Sequence, residues 1–390
     1  PVLLALDLPE AEQWAIESDP QLEALEARAL ALEYLATADG QLPDPQIQLG
    51  TQAVPLPSFD VRDEPMTQFQ LGIGQRVPAR SQRRAAVQSR ETERDALALQ
   101  SSVRALQLRR AVREHWIEIV RLQDLLELTG ERAELLERYS DALENGVENG
   151  RVSQQVLLEG RTRELRVQRS LTQLRVRLNE HRADLSALLP DVELPRTLTP
   201  ARLNRPERFD LDAHPEMRAA GSRVELAEAG IAEAQSAFDP SWSWSLGVGR
   251  RVGDVPSGAP DDTLLSAQVR IDLPLFTRNR QSQRLAAARE FHRAALTQPV
   301  DLERRLAARL AWARERLAEY MALEEVYGDD ILPRSLDAAE AANDKYRNGS
   351  IPLEDVLAAE IEVLDVRHER IEARLEIDRA RVELAYLGGH

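Results

Sequence analysis

Two stretches of alternating sequence decide the fold: residues 241–249 are SWSWSLGVG and residues 264–273 are LLSAQVRIDL. In the first, every second residue from Trp242 to Val248 is apolar, and the residues between them are Ser or Gly. In the second, an apolar series that starts at Leu265 alternates with Ser, Gln, Arg and Asp. Successive side chains of a β-strand point to opposite faces. The pattern therefore predicts two strands, each with one apolar and one polar face.

The sequence contains an internal repeat: motifs of the first half recur 195 to 199 residues later. Asp44-Pro45 recurs as Asp239-Pro240, and Asn149-Gly150 recurs as Asn348-Gly349. The offset grows along the chain, as a duplication with small insertions would give. A proline-rich segment, 190–206, is interpreted as the linker between the copies.

Each copy is predicted to contain a helix, two strands and a long helical hairpin. We divide the protomer into a first structural repeat, 1–198, and a second, 199–390. The strands are expected at about 45–54, 67–77, 240–250 and 264–274.

Long helices account for most of the chain, so we predict a mainly α fold with a small β part. The predicted helices include 9–39, 79–145 and 153–188 in the first repeat and 279–346 in the second, with kinks at Pro299 and Pro333. A seam along the last helix has positions spaced alternately by four and three, and six of its eight residues are apolar: Leu357, Ile361, Leu364, His368, Ile371, Leu375, Asp378 and Val382. This spacing predicts coiled-coil packing.

Composition argues against several classes of protein. The 66 acidic residues outnumber the 50 basic ones, whereas a nucleic-acid binder shows the opposite bias. The chain has no cysteine, so it has neither disulfides nor thiolate sites. No nucleophile–base set or nucleotide-binding loop is found, so we predict no enzyme and no cofactor.

The six histidines are scattered, and we predict no metal site. None belongs to an HExxH motif or to a close His/Asp pair with metal-ligand spacing. His181 and His368 fall on the apolar seams of predicted helices, so we interpret them as packed core residues.

Four strands of this length indicate a membrane barrel shared between chains. Each run has about 9–10 residues, the length of a transmembrane strand. Open sheet edges are not viable in lipid, and three chains would pool twelve strands into a closed barrel. The expected lipid face contains Phe69, Leu71, Ile73, Trp242, Trp244, Leu246 and Val248. Arg76, Arg250, Arg270 and Asp272 are assigned to the polar parity that would line the lumen. The alternative is a half-buried sheet on a soluble core with ordinary surface charges.

The end of the second repeat carries the most specific motifs. Ile331-Leu332-Pro333 is followed by Tyr346-Arg347-Asn348-Gly349 and by Asp355-Val356-Leu357-Ala358. Together with the strand exit Ile271-Asp272-Leu273-Pro274-Leu275-Phe276, this order resembles the outer-membrane factor family, the TolC-like ducts of tripartite efflux and type I secretion systems. The details are most similar to the CusC/CzcC-like heavy-metal branch.

The resemblance implies a homotrimer with a 12-stranded β-barrel and a long α-helical coiled-coil barrel. The barrel would lie in the lipid of the outer membrane of a Gram-negative bacterium, and the helices would extend through the periplasm. The implied function is passive: an exit duct for substrate, expected to be heavy-metal cations. The implied partners are a periplasmic adaptor (a membrane fusion protein) and an inner-membrane RND transporter, with no nucleic acid.

The resemblance also implies site residues at the hairpin tips. Asp355 and Tyr346 match aperture positions, and Glu354 and Glu148 are further gate candidates. The expected adaptor-docking residues are Gly150, Arg151, Val152 and Ser153 at one tip and Gly349, Ser350, Ile351 and Pro352 at the other. Two positions depart from the family pattern: Ala358 replaces a second acid and Ile351 replaces an arginine.

Several of these residues also have a plainer, structural interpretation. Gly150 and Gly349 suit helix C-caps that let the chain reverse. Asp355 also suits the first turn of a helix, where the helix dipole favours an acid. Glu148 also suits a solvated helix face.

Two other functions stay open at this point. One is a duct for drug efflux or type I secretion, which the sequence does not distinguish from a metal duct. The other is a soluble coiled-coil scaffold, which explains the helices. A scaffold does not explain four alternating strands at duplicated positions.

Overall fold

A computed structural model of the chain describes residues 6–201, 203, 208–252 and 263–390. Part of the predicted linker 190–206 lies outside these residues. The helices are α1 Leu8–Glu17, α2 Pro20–Asp39, α3 Arg80–Glu148, α4 Gln154–Leu188, α5 Pro215–Ser236, α6 Gln281–Glu325, α7 Leu332–Arg347 and α8 Leu353–Leu387. The strands are β1 Gln46–Gln52, β2 Gln68–Val77, β3 Ser241–Arg251 and β4 Thr263–Asp272. The prediction of a mainly α fold with a small sheet is confirmed.

The first predicted helix, 9–39, is wrong as a single element, because α1 and α2 are separate helices. Asp19, between them, accepts a hydrogen bond from the backbone N–H of Leu22 at 2.9 Å. Arg104 donates to the same carboxylate at 2.7 Å. Pro20 is the first residue of α2, where its missing N–H costs nothing. Asp19 and Pro20 thus form a helix start that periodicity alone does not reveal.

The predicted long helix 279–346 is interrupted once among the described residues. A π-helical turn, Val326–Ile331, separates α6 from α7. It lies directly before Pro333, which cannot donate a backbone hydrogen bond to the preceding turn. Pro299 lies inside α6 and does not end the helix.

The chain divides into two compact units, each of which contains residues from both predicted repeats. Unit 1 comprises Pro1–Glu23, Ser101–Met217 and Asp301–His390. Unit 2 comprises Ala24–Gln100 and Arg218–Val300, and it contains the sheet. These units do not test the division into repeats 1–198 and 199–390, which stays a prediction.

The core of unit 1 lies between helices of both repeats. One cluster joins α1, α3 and α4, and it includes the fully buried Trp116, whose Nε1 donates to the carbonyl of Thr199 at 2.9 Å. Along α8, the predicted seam residues Leu357, Leu364, Leu375 and Val382 are all buried. Within this seam the interpretation of His368 as a core residue is wrong, because its side chain is 51% exposed.

Among the described residues, no helix has the length and apolar character needed to cross a membrane.

Candidate functional site

The four strands form one antiparallel sheet in the order β1-β2-β3-β4. The register aligns the apolar residues in cross-strand rows, of which two consist of Ile47, Ile73, Leu246 and Ala267, and of Leu49, Leu71, Val248 and Leu265. In the next rows Trp244 faces Val269, and Trp242 lies between Val77 and Ile271. We call this set of rows the apolar face. The predicted lipid-facing residues therefore share one continuous surface.

The apolar face is open to solvent in the protomer. Leu49 is 80% exposed and Leu265 is 77% exposed, although both are large aliphatic residues. Exposed apolar patches of this kind mark a surface that is covered by lipid or by another protein.

The opposite surface of the sheet, the polar face, carries Gln, Ser, Gly and Arg. Arg76 and Arg270 flank Ser243 in one cross-strand row. In the adjacent row the hydroxyl of Ser241 donates to Oδ2 of Asp272 at 3.2 Å. The predicted lumen residues Arg76, Arg270 and Asp272 thus lie on one face.

The assignment of Arg250 to the polar parity was wrong. Arg250 pairs with Phe69 and has the same parity as Trp242 and Trp244, so it belongs to the apolar face. It lies near the end of β3, where a long charged side chain can reach the boundary of an apolar layer.

The two outer strands have one neighbour each among the strands that the structure describes. Every residue of β1 and of β4 is exposed. The backbone groups on the outer sides of these strands are therefore free to pair with strands of another chain.

The α3–α4 and α7–α8 tips have the same backbone geometry. Gly150 and Gly349 have φ angles of 69° and 71°, which L-residues with side chains rarely adopt. After Gly150, the N–H of Arg151 donates to the carbonyl of Gly146 at 2.8 Å. After Gly349, the N–H of Ser350 donates to the carbonyl of Lys345 at 2.9 Å. Both tips are Schellman motifs, which end a helix and reverse the chain.

Packing at the first tip joins the docking candidates to the helices. A Cβ atom on Gly146 would lie 2.6 Å from Cγ2 of Val152, so the absence of a side chain at 146 lets Val152 pack against α3. Val152 also joins the apolar cluster that includes Leu143 and Leu157. The hydroxyl of Ser153 accepts a hydrogen bond from the backbone N–H of Val156 at 3.5 Å and caps α4. Arg151 is exposed.

The gate candidates are exposed in the protomer. Tyr346 lies in the last turn of α7, and Asp355 and Glu354 lie in the first turn of α8, so all three belong to the α7–α8 tip. Glu148 is the last residue of α3, at the other tip. On α3, burial raises the pKa of Tyr139 to about 12, and the nearby carboxylate of Glu354 adds to this shift. Glu354 therefore faces α3 of the same protomer.

One constellation was missed from the sequence. His115 of α3 and His181 of α4 approach with their Nδ1 atoms 3.2 Å apart, and Oδ2 of Asp184 lies 3.9 Å from Nδ1 of His115. Burial lowers the pKa of His115. His181 and Asp184 are three residues apart and share a helix face. That spacing was a visible signal, but His115 is 66 residues away in the sequence.

Comparison with known families finds a match for the later part of the chain. Residues 211–390 match the family model described as outer membrane efflux protein. This part of the chain is therefore similar to the outer membrane efflux proteins. The family is one of transport channels, and its model covers α5 to α8 with both strands of the second repeat.

The whole chain has the TolC-like fold of solved outer-membrane channels. It matches the outer membrane protein VceC of Vibrio cholerae with a TM-score of 0.76 at 19% identity, over 98% of this chain and 96% of that one. It matches the outer-membrane channel OprN with a TM-score of 0.81 at 19% identity, over 98% and 90%. CusC gives a TM-score of 0.75 at 17% identity, over 98% and 92%. No curated protein sequence matches the chain.

Proposed function

We propose that three copies of this chain form the outer-membrane exit duct of a tripartite efflux system in a Gram-negative bacterium. The main support for this proposal is the geometry of the sheet. The sheet has one continuous apolar face, and its two outer strands each have a side without a partner among the described strands. Within lipid such a sheet is stable only when it closes, and three copies of four strands close a twelve-stranded barrel.

The position of the tryptophans supports a membrane location for the sheet. Trp242 and Trp244 are at the start of β3, directly after the turn that follows α5. Tryptophan is favoured at the boundary between the apolar layer and water. The two side chains then mark the periplasmic boundary of the barrel, and the aliphatic rows of Leu246 and Val248 lie within the lipid.

The hairpin tips are the proposed docking and gating elements. Substrate passes through the helical barrel, and the tips with Arg151 and Ser350 contact a periplasmic adaptor that couples the duct to an inner-membrane RND transporter. Tyr346, Asp355, Glu354 and Glu148 contribute to the aperture. Around a threefold axis, one Asp355 per chain becomes a ring of three carboxylates, which attracts cations.

Heavy-metal cations are the proposed substrate. Support comes from the formal charge of −16, from the acids at the tips and from the motif resemblance to the CusC/CzcC-like branch. The overall fold does not favour this substrate, because the TM-scores for CusC and VceC differ by only 0.01, from 0.75 to 0.76.

Two measurements test the duct itself. Native mass spectrometry in detergent should give a trimer, and planar bilayers should show conductance by the purified protein. A monomer that stays soluble without detergent would indicate the scaffold alternative. Charge reversal in Arg151→Glu should weaken adaptor binding while the trimer stays intact, and unchanged adaptor affinity would contradict the docking assignment.

A separate assay tests the substrate. The gene is expressed in two strains that lack their own outer-membrane channels. One strain keeps a metal pump and the other keeps a drug pump. Restored growth on zinc, copper or cobalt salts is expected with the metal pump. Rescue only with the drug pump would contradict the metal assignment and leave the duct proposal standing.

A further inference from the structure

A pocket of about 380 Å³ lies within unit 1, where α3 and α4 of the first repeat meet α6 and α8 of the second. His115 and His181 form part of its lining. His115 is held within α3, and its side chain is 26% exposed. The opening to solvent leaves room for an ion and its water ligands.

The spacing of the two imidazoles fits a shared metal ion. Their Nδ1 atoms are 3.2 Å apart. Two nitrogens bound to one tetrahedral zinc ion at about 2.0–2.1 Å are separated by about 3.3 Å. In the absence of a metal, an Nδ1–H···Nδ1 hydrogen bond between the two rings keeps these two atoms close together.

A carboxylate completes the set. Oδ2 of Asp184 lies 3.9 Å from Nδ1 of His115, and one ligand atom from each of the three residues lies within 4.8 Å of the others. The Asp184 side chain is 62% exposed, so it can turn towards a bound ion at little cost. Two imidazoles and one carboxylate leave a fourth position for water, as in open zinc sites.

Neighbouring glutamates are already engaged with arginines. Arg121 donates from Nε to Oε2 of Glu118 at 3.1 Å. Arg309 donates from Nε to Oε1 of Glu383 at 2.7 Å. These pairs hold both carboxylates against arginines. Among the described residues, Asp184 is the carboxylate that groups with both histidines, with the ligand atoms within 4.8 Å of one another.

We propose that His115, His181 and Asp184 bind one divalent transition-metal ion per chain, of the class of Zn²⁺ or Cu²⁺ that imidazole nitrogens prefer. The ion links α3 to α4 well away in sequence from the hairpin tip that joins them. The proposed ligands come from α3 and α4 alone, so this site does not depend on which substrate the duct transports.

Binding is tested with the untagged, full-length protein in detergent, stripped with a chelator and titrated calorimetrically with Zn²⁺. One equivalent per chain is expected for the wild type. His181→Ala and His115→Ala should each lose this equivalent, and Asp184→Asn should bind more weakly. His292→Ala, which changes a histidine on α6 in unit 2, is the matched control and should keep full stoichiometry.

Spectroscopy distinguishes this site from adventitious binding at the surface. Cu²⁺ added to the wild type should give electron paramagnetic resonance couplings from two imidazole nitrogens, and either histidine variant should show one or none. Melting curves in chelator establish that the variants are folded. If His115→Ala proves unstable, the test uses His181→Ala and Asp184→Asn instead. The proposal is overturned if the wild type binds no more Zn²⁺ than His181→Ala does.

Discussion

Arg367 of α8 donates a hydrogen bond from Nη2 to Oε1 of Glu131 on α3 at 2.8 Å, and so joins the last helix of the second repeat to the long helix of the first. Other ion pairs also connect these helices, among them Arg121 with Glu372 at 2.7 Å and Arg132 with Asp365. The two repeats therefore pack through charged pairs that flank the leucine seam of α8.

The Glu131–Arg367 pair gives an expected pH dependence. The hydrogen bond from Arg367 lowers the pKa of Glu131 below its ordinary value of 4.5. A carboxylate with a lowered pKa stabilises the folded state above that ordinary value, and the contribution is lost as the pH falls through the folded pKa. Glu131→Gln should therefore lower the free energy of unfolding at pH 7, and the difference from the wild type should vanish in acid.

The expected loss at pH 7 is below about 1 kcal/mol, because both side chains are about 40% exposed and solvent screens the pair. Denaturant unfolding followed by circular dichroism measures it. The control is Glu303→Gln, an exposed position on α6. A difference of the same size at both pH values would show that the pair acts through packing and not through charge.

The glycines of α3 and of its tip should respond to alanine in opposite directions. Gly130 lies inside α3 with nothing within 4 Å of an added Cβ, so Gly130→Ala should stabilise the helix by up to about 1 kcal/mol. Gly150 has a φ of 69°, so Gly150→Ala should cost about 1 kcal/mol or more. Thermal melts of both variants against the wild type give the two signs. Equal shifts would contradict the left-handed turn at the tip.

Two adjacent residues of β1 distinguish the faces of the sheet. Leu49 belongs to the apolar face, and Gln48 has the opposite parity and pairs with Gly72. If the apolar face meets lipid, Leu49→Arg should cost about 2–4 kcal/mol near the middle of the bilayer. Gln48→Arg should be tolerated. Heat-modified mobility and the yield of trimer from outer-membrane fractions measure assembly, and equal yields from both variants would exclude a lipid contact at Leu49.

The strands were predictable because their signal is local. A period of two is visible within ten residues, and it fixes which residues of each strand share a face. Leu71 and Val248, both of the predicted apolar parity, are paired across β2 and β3. The α1–α2 break was not predictable in this way, since Asp19 acts through a hydrogen bond and through Arg104, 85 residues away. The cluster of His115, His181 and Asp184 was missed for the same physical reason, because the ligands come together only when α3 and α4 pack. Heptad spacing predicted that His368 is buried, but it is exposed. Spacing alone does not specify which seam positions face solvent.

Asp355 gives the most direct test of the aperture. It lies in the first turn of α8 and is exposed in the protomer. In a trimer with a closing axis near the tips, Asp355→Asn removes three negative charges from the ring and should reduce the preference for cations over anions. Reversal potentials in bilayers under a salt gradient measure this preference. Asp337→Asn, on the exposed surface of α7, removes the same charge without touching the tip and should leave selectivity unchanged. If the two variants behave alike, Asp355 is only a favourable charge at a helix start, where the dipole explains it without any gate.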